Sequence, residues 1–225
     1  MRRRLSALGV LLALSLPALA HEAPADLDFA LPAPGSYRLP PIQGAPDGDV
    51  VESTGKAGAL SAYTRGRITL LGLVYTRCTD PDGCPLATWA FGEVRSLLRS
   101  DPALERRVRL VSLSFDPDHD KPAVLAAYAR RSKGTRPGAE WRFVTAASRE
   151  SLAHVLEGFG QDLSVASDSN AAPGTEEFTH TLKVFLVDPA GVVREIYSTA
   201  YLMPRMIVND MRTLALEGRP TRTPR

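Results

Sequence analysis

Apolar runs and helical patterns alternate along the chain from residue 67 to residue 217. Residues 68–75 form an almost continuous apolar run, as expected of a strand that is buried on both faces of a sheet. Pro85 suits the first position of a helix, and the apolar residues after it repeat at helical spacing. The sequence therefore predicts a buried strand that leads through a short loop into a helix.

The same alternation repeats in the middle of the chain. Residues 108–115 and 141–145 are typical of strands, and each is followed by a helical pattern. Asp120 is placed to cap the first of these helices, with Pro122 in its first turn, and Ser148 is placed to cap the second. We therefore expect two further strand–helix units.

The C-terminal part predicts a hairpin and a last helix. Strands over 182–187 and 192–197 are joined by residues 188–191 (Asp-Pro-Ala-Gly), a strong turn signal, and Pro204 opens the helix. Three strand–helix units followed by a hairpin and a helix predict an α/β fold of thioredoxin-like order. We expect a mixed central β-sheet flanked by helices over residues 67–217.

The two ends of the chain have a different composition. Residues 21–66 are rich in Pro, Gly, Ala and Asp, which predicts an irregular N-terminal arm with short β pieces at 36–39 and 50–52. The stretch 55–63 is typical of a loop that ends in a short turn. Residues 218–225 predict a flexible tail.

Residues 1–20 predict a secretory signal peptide. Three arginines precede a short apolar stretch, which ends in Ala18-Leu19-Ala20, a typical cleavage site. Cleavage would remove three positive charges, so the net charge of +2 for the full sequence would become about −1. We expect a periplasmic protein with no affinity for nucleic acid, and an uncleaved signal that anchors it to the membrane as the alternative.

The two cysteines of the chain, Cys78 and Cys84, lie between the first predicted strand and its helix. The helix dipole and the unpaired N–H groups at the helix start favour a thiolate at Cys84, while Arg77 adds a positive charge beside Cys78. Five residues separate the two cysteines, which is wide for a redox pair. A dithiol at this position predicts either disulfide chemistry or soft-metal binding.

His180 is the histidine best placed to join the two cysteines. It precedes the strand at 182–187, in a loop that faces the dithiol in a thioredoxin-like order. Thiol oxidoreductases of this fold carry a proline at about this place, so a histidine there favours a Cys2His metal site. Weaker candidates for a metal are His119 among acidic residues, His21 at the predicted new N-terminus, Met203 and Met206, whereas His154 is predicted to be solvated.

Three separated motifs resemble the Sco/SenC family over residues 60–216. They are Leu-Val-Tyr-Thr-Arg-Cys at 73–78 with Cys84-Pro85, Ser-Phe-Asp-Pro-Asp-His-Asp-Lys-Pro at 114–122, and His-Thr at 180–181 with Phe-Leu-Val-Asp-Pro-Ala-Gly at 185–191. The resemblance implies a thioredoxin-like copper protein that helps to assemble the binuclear copper centre of cytochrome c oxidase. It also implies that Cys78, Cys84 and His180 bind copper. The family usually has three residues between its cysteines, whereas this chain has five.

Two functions follow from these residues. The first is a periplasmic metallochaperone that carries Cu(I) or Cu(II) to an oxidase subunit or to another copper carrier and acts as a monomer. The second is a thiol-disulfide reductase in which Cys78 and Cys84 keep the copper-binding cysteines of the client reduced. Zinc would accept the same ligands, although the sequence offers no evident fourth one.

Overall fold

The computed structural model describes residues 29–135, 137–166 and 177–217. Eight strands form one mixed sheet in the order β1-β10-β9-β4-β5-β6-β2-β3, and β7 and β8 form a separate two-stranded sheet. The strands are β1 (Gln43–Gly44), β2 (Asp49–Glu52), β3 (Ala57–Ala59), β4 (Ile68–Val74), β5 (Val108–Ser114), β6 (Glu140–Ala146), β7 (Ser164–Ala166), β8 (Glu177–Thr179), β9 (Lys183–Val187) and β10 (Val192–Ser198). The predicted α/β fold with a mixed sheet is confirmed.

Strand β4 occupies the centre of the sheet because every one of its side chains is apolar or small enough to be buried. All seven of its positions are buried. It pairs in parallel with β5 and antiparallel with β9, and β5 pairs in parallel with β6. The end of β4, where the dithiol loop begins, therefore lies beside the end of β5.

The helices are α1 (Ser61–Thr64), α2 (Cys84–Leu98), α3 (Pro102–Glu105), α4 (Pro122–Lys133), α5 (Arg149–Gly158) and α6 (Pro204–Glu217). Helix α2 packs against α4 and α6 and places Phe91 beside Trp141 of β6. The predicted cap of α5 is confirmed, since the Ser148 hydroxyl accepts a hydrogen bond from the Ser151 N–H at 3.1 Å.

The N-terminal arm contributes strands to both edges of the sheet. Strand β1 pairs with β10 at one edge, and β2 pairs with β6 and β3 at the other. The predicted β piece at 36–39 is wrong, because residues 36–37 form a bend and residues 38–39 have no regular secondary structure. The stretch 55–63, predicted as a loop with a turn, contains β3 and the first three residues of α1.

A buried carboxylate fastens the arm to the last helix. The Tyr37 hydroxyl donates to one oxygen of Asp210 at 2.5 Å, and the Tyr197 hydroxyl donates to the other at 2.7 Å. Asn209 adds a bond from its side-chain amide to the Tyr37 oxygen at 2.9 Å. Burial raises the pKa of Asp210, and the bonds from the two tyrosines oppose that rise.

No helix in the described part of the chain is long and apolar enough to cross a bilayer. The predicted signal peptide at 1–20, His21 and the predicted tail at 218–225 lie outside the described residues.

Candidate metal centre

The dithiol loop connects β4 to α2 and contains two consecutive hydrogen-bonded turns. The Cys78 N–H donates to the Tyr75 carbonyl at 3.3 Å, and the Gly83 N–H donates to the Asp80 carbonyl at 3.1 Å. Cys84 is the first residue of α2, next to its N-cap Gly83. Cys78 is half-buried and Cys84 is buried, and both thiols are free.

Four donors surround the Cys78 sulfur. The Cys84 thiol has the largest effect, and the backbone N–H groups of Cys84 and Asp80 and the Tyr75 hydroxyl add to it. These hydrogen bonds outweigh the opposing effect of burial and lower the pKa of the Cys78 thiol to about 6. Cys78 is therefore a thiolate at neutral pH.

Cys84 has the opposite electrostatics. Its thiol donates to Cys78 and is buried with an exposed fraction of 1%. The donated bond, burial and the repulsion from the Cys78 thiolate raise the pKa of Cys84 well above its usual value. The prediction that the helix start favours a thiolate at Cys84 is therefore wrong, because these effects outweigh the bonds that the Tyr75 N–H, at 3.4 Å, and the Cys84 N–H donate to the Cys84 sulfur.

His180 follows β8 and lies half-buried with its ring edge against Phe115. The two ring centroids are 4.7 Å apart, at an interplanar angle of 73°. Its Nδ1 lies 3.2 Å from the Thr181 carbonyl oxygen, which only accepts hydrogen bonds, so Nδ1 carries the proton and Nε2 keeps its lone pair. Burial lowers the pKa of His180, against smaller raising effects of this bond and of Asp80. A neutral imidazole with a free Nε2 is a competent metal ligand.

Cys78 and His180 line one open cavity of about 480 Å³, whose other residues include Tyr75, Asp80 and Phe178. The His180 loop therefore faces Cys78 across this cavity, whereas Cys84 is not among the described residues that line it. Phe178 packs edge-on against Tyr75, with ring centroids 5.1 Å apart, and thereby holds the two-stranded sheet of β7 and β8 against the end of β4. The cavity thus joins a soft anionic sulfur and a neutral imidazole.

A second group of ligand-type side chains lies at the end of β5. Within the described part of the chain, one group of three potential metal ligands is compact enough for all its ligand atoms to lie within 4.8 Å of one another. It consists of Asp116, His119 and Asp120. Cys78, Cys84 and His180 do not form such a compact triad. The acids of this second group are already paired, since Asp116 binds Arg77 at 2.6 Å. The positive charge predicted to act on Cys78 is therefore largely neutralised.

Asp120 does not cap α4 as predicted, because its carboxylate points into the protein. It accepts hydrogen bonds from the Thr76 N–H at 3.0 Å, the Thr76 hydroxyl at 2.5 Å and the Ser114 hydroxyl at 2.6 Å. Lys121 occupies the N-cap position of α4, and its side chain makes no capping bond. Asp120 therefore fastens the start of the dithiol loop to the end of β5.

The weaker candidates do not reach the cavity. His154 is exposed on α5, as predicted, and Met206 packs against the core. Sequence reasoning missed Tyr75, whose hydroxyl faces the Cys78 sulfur. Its position at the end of the buried strand, three residues before Cys78, was the available signal.

A thioredoxin-like domain with a dithiol at the start of a helix and a histidine across a shared cavity defines a class of thiol and metal-binding proteins. Residues 49–216 match the sequence profile of the SCO1/SenC family. The chain belongs to the SCO1/SenC family.

Several solved structures share this fold. Copper-bound ScoI from Arabidopsis thaliana is 15% identical, with a TM-score of 0.64, and the match covers 78% of this chain and 99% of that one. Apo Sco1 from Thermus thermophilus is 24% identical, with a TM-score of 0.64 and coverage of 81% and 97%. BsSco, described as having a disulfide switch and as belonging to a family of cytochrome c oxidase assembly proteins, is 21% identical, with a TM-score of 0.57 and coverage of 78% and 95%. No curated protein sequence matches the chain.

Proposed function

We propose that this protein is a periplasmic copper carrier that delivers copper to the copper centre of a respiratory oxidase. Cys78, Cys84 and His180 are its proposed copper ligands. The observation that carries the proposal is that a Cys78 thiolate and a neutral His180 line one open cavity, with the Cys84 thiol hydrogen-bonded to the Cys78 sulfur. Copper bound to ScoI of Arabidopsis thaliana, and the oxidase-assembly family of BsSco, support the same conclusion.

The donor set has the chemistry of a copper site. Two sulfurs and one imidazole are soft ligands that suit Cu(I), and a Cu(II)–thiolate state is also compatible with the imidazole. Cys78 is already deprotonated at neutral pH, whereas Cys84 must release a proton when its sulfur binds the metal. Copper affinity should therefore increase with pH in the neutral range.

The open cavity suits the delivery of copper to a partner protein. Cys78 and His180 approach the metal position from different elements, the dithiol loop and the end of β8, and leave the cavity mouth free. A ligand from a partner protein can therefore bind copper before Cys78 and His180 release it. Transient contact with an oxidase subunit or with another copper carrier would complete the transfer.

Copper binding by ligand variants tests the proposal. Fully reduced protein is loaded with Cu(I) under competition from a chromophoric chelator, and the wild type is compared with Cys78→Ala, Cys84→Ala and His180→Ala. We expect stoichiometric copper in the wild type and clear loss of affinity in each variant. His154→Ala is the matched control, because His154 is exposed on α5 away from the cavity. Wild-type affinity in His180→Ala would show that the Cys2His site is wrong.

A second function is favoured by the unequal thiols. Cys78 is the accessible thiolate and Cys84 the buried protonated thiol, an arrangement that suits thiol-disulfide reduction. The Cys78 thiolate attacks a client disulfide and releases one client thiolate. Cys84 then loses its proton and attacks the Cys78 sulfur, which releases the second client thiolate and leaves a Cys78–Cys84 disulfide. Two electrons thus pass to the client.

Reduction of a disulfide-bonded peptide from a copper-binding oxidase domain tests this second function. We expect the reduced wild type to convert a stoichiometric amount of peptide, and Cys84→Ala to accumulate a mixed disulfide through Cys78. Negligible copper binding together with efficient peptide reduction would favour the reductase over the carrier. Absence of both the reduction and the mixed disulfide would eliminate the reductase.

A further inference from the structure

A surface that is both basic and apolar runs along α6 and the N-terminal arm. It comprises two grooves, of about 520 Å³ and about 250 Å³, which share Arg212 and are therefore continuous. None of the residues that line these grooves belongs to the cavity of Cys78 and His180. We call it the arm–helix surface, and the side chains that matter on it are those of Phe29, Arg107, Arg205, Arg212 and Leu216.

Two large apolar side chains are exposed on the arm–helix surface. Phe29 has an exposed fraction of 48% and Leu216 one of 42%, and they are two of the four large hydrophobic residues that are exposed in the described part of the chain. A single exposed apolar residue needs no explanation, whereas two of them in adjoining grooves that also contain arginines indicate a contact with a partly apolar partner.

The charges of the arm–helix surface are unbalanced. Three arginines, Arg107, Arg205 and Arg212, line its grooves. Asp101 is the one acid among the described lining residues, and its carboxylate lies 3.5 Å from the Arg212 guanidinium. The Arg107 guanidinium donates to the neutral Ala215 carbonyl at 2.8 Å, a bond that leaves its charge in place. The surface therefore concentrates positive charge in a chain whose formal net charge is only +2.

The position of the arm–helix surface along the chain favours a membrane as its partner. Phe29, the first described residue, follows nine positions after the end of the apolar leader at residue 20. Nine extended residues span at most about 30 Å, so an uncleaved leader would keep this surface close to the bilayer. Residues 21–28 contain three acids and residues 218–225 contain three arginines, so these flanking segments together leave the net charge of the surface unchanged.

We propose that the arm–helix surface docks the folded domain onto a membrane that contains anionic lipid. Phe29 and Leu216 enter the boundary between headgroups and acyl chains, as the apolar residues of interfacial segments do. The arginines bind lipid phosphates, which match the planar guanidinium group. This docking goes beyond copper delivery and does not depend on it. It leaves the cavity of Cys78 and His180 uncovered, because the two surfaces share no residue.

Sedimentation with lipid vesicles provides the test. Copper-free protein, exported with its own leader, is mixed with vesicles of phosphatidylcholine alone or with vesicles of equal parts phosphatidylcholine and phosphatidylglycerol, at low and at high salt. The wild type is compared with the double variant Arg205→Ser/Arg212→Ser, which removes charge, and with Phe29→Ser, which removes apolar area. Thermal unfolding of each variant confirms that it is folded.

The chain offers a matched control for each variant. Arg130→Ser/Arg131→Ser removes the same net charge from two exposed positions of α4, outside the arm–helix surface. Ile42→Ser removes an apolar side chain whose exposed fraction of 48% equals that of Phe29. These controls separate docking through one surface from a general effect of charge or hydrophobicity.

We expect the wild type to bind the anionic vesicles and to be released by high salt. An arginine near an anionic membrane contributes about fivefold to binding, so Arg205→Ser/Arg212→Ser should bind about 25-fold more weakly. Phe29→Ser should bind about tenfold more weakly, and both controls should stay within about twofold of the wild type.

Three outcomes would overturn the docking. The first is equal binding of the wild type to neutral and anionic vesicles, and the second is an equal loss in the control variants. The third is a dimer in sedimentation velocity that Phe29→Ser dissociates, because it would assign the surface to a second copy of the chain. No copper is present in these measurements, so their failure is distinguishable from failure of the copper site.

Discussion

The substitution Tyr75→Phe isolates one of the four donors to the Cys78 thiolate. The Tyr75 hydroxyl faces the Cys78 sulfur, and its hydrogen bond contributes to lowering the pKa of Cys78 to about 6. Burial and, to a smaller extent, the nearby Cys78 charge raise the pKa of Tyr75 itself to about 12. The hydroxyl therefore remains a donor across the whole range in which Cys78 ionises. Phenylalanine keeps the ring that packs against Phe115 and Phe178.

The expected magnitude follows from the exposure of the sulfur. A hydrogen bond to a charged group contributes about 1.5–3 kcal/mol when water cannot replace the donor. Cys78 is half-buried, so water partly substitutes for the missing hydroxyl. We therefore expect a loss of about 1 kcal/mol, which raises the pKa of Cys78 by about 0.7. The thiolate remains the major form at pH 7, while its fraction near pH 5 decreases several-fold.

Alkylation of the metal-free, reduced protein measures this pKa. The midpoint of the pH–rate profile is the readout, because the intrinsic nucleophilicity of a thiolate increases with its pKa and distorts single-pH rates. Tyr128→Phe is the matched control, since it removes the same group from a hydroxyl that lies 2.7 Å from the Thr88 oxygen. Equal midpoints for Tyr75→Phe and the wild type would refute the assignment of the hydroxyl as a thiolate donor.

Three further predictions concern the supports of the fold and the site. Tyr37→Phe should lower the free energy of unfolding by about 1–3 kcal/mol in urea titrations, because it removes a hydrogen bond to the Asp210 carboxylate. Because the pKa of Asp210 is higher in the folded protein, protonation of Asp210 adds to the free energy of unfolding. This contribution is complete below the usual Asp pKa and is lost as pH rises through the raised pKa. The free energy of unfolding of Asp210→Asn, measured against pH, should lack this part of the pH dependence. Asp120→Ala should lower the free energy of unfolding by about 2–5 kcal/mol, because the Thr76 N–H and the Ser114 hydroxyl lose their buried acceptor. A decrease of less than about 0.5 kcal/mol in thermal or urea unfolding would contradict this prediction.

The central strands and the last hairpin could be predicted because their local signals agree with the fold. Strand β4 is apolar at nearly every position since both of its faces are covered, and a continuous apolar run records that burial directly. The turn at 188–191 is equally local, because the Asp188 carboxylate accepts bonds from the N–H groups of Ala190 and Val192. Gly191 takes a φ of +86°, a conformation that favours glycine.

The edge strands could not be predicted, because their sequence carries almost no periodic signal. Strand β3 consists of Ala57, Gly58 and Ala59 and is recognised only through its pairing with β2. The same limitation applies to Asp120. An acid before Pro122 is a good helix-cap pattern, but the tertiary structure uses its carboxylate to join Thr76 to Ser114.

The positions of the site residues were predictable from topology, whereas their protonation was not. A dithiol after β4 and a histidine before β9 meet at one edge of the sheet in any thioredoxin-like order. Which thiol ionises depends instead on four donors that come from three different residues, among them the hydroxyl of Tyr75. The helix start does favour a thiolate, but burial and the bond to Cys78 outweigh that effect at Cys84.

The five-residue gap between the cysteines has a physical solution that keeps the two sulfurs together. The turn at 80–83 takes up the extra length, so that Cys84 still begins α2 and its thiol still donates to Cys78. The wider spacing therefore does not by itself argue against a shared copper site. It places an additional carboxylate, that of Asp80, at the cavity beside the thiolate. The consequence of the longer loop is thus a change in what surrounds Cys78.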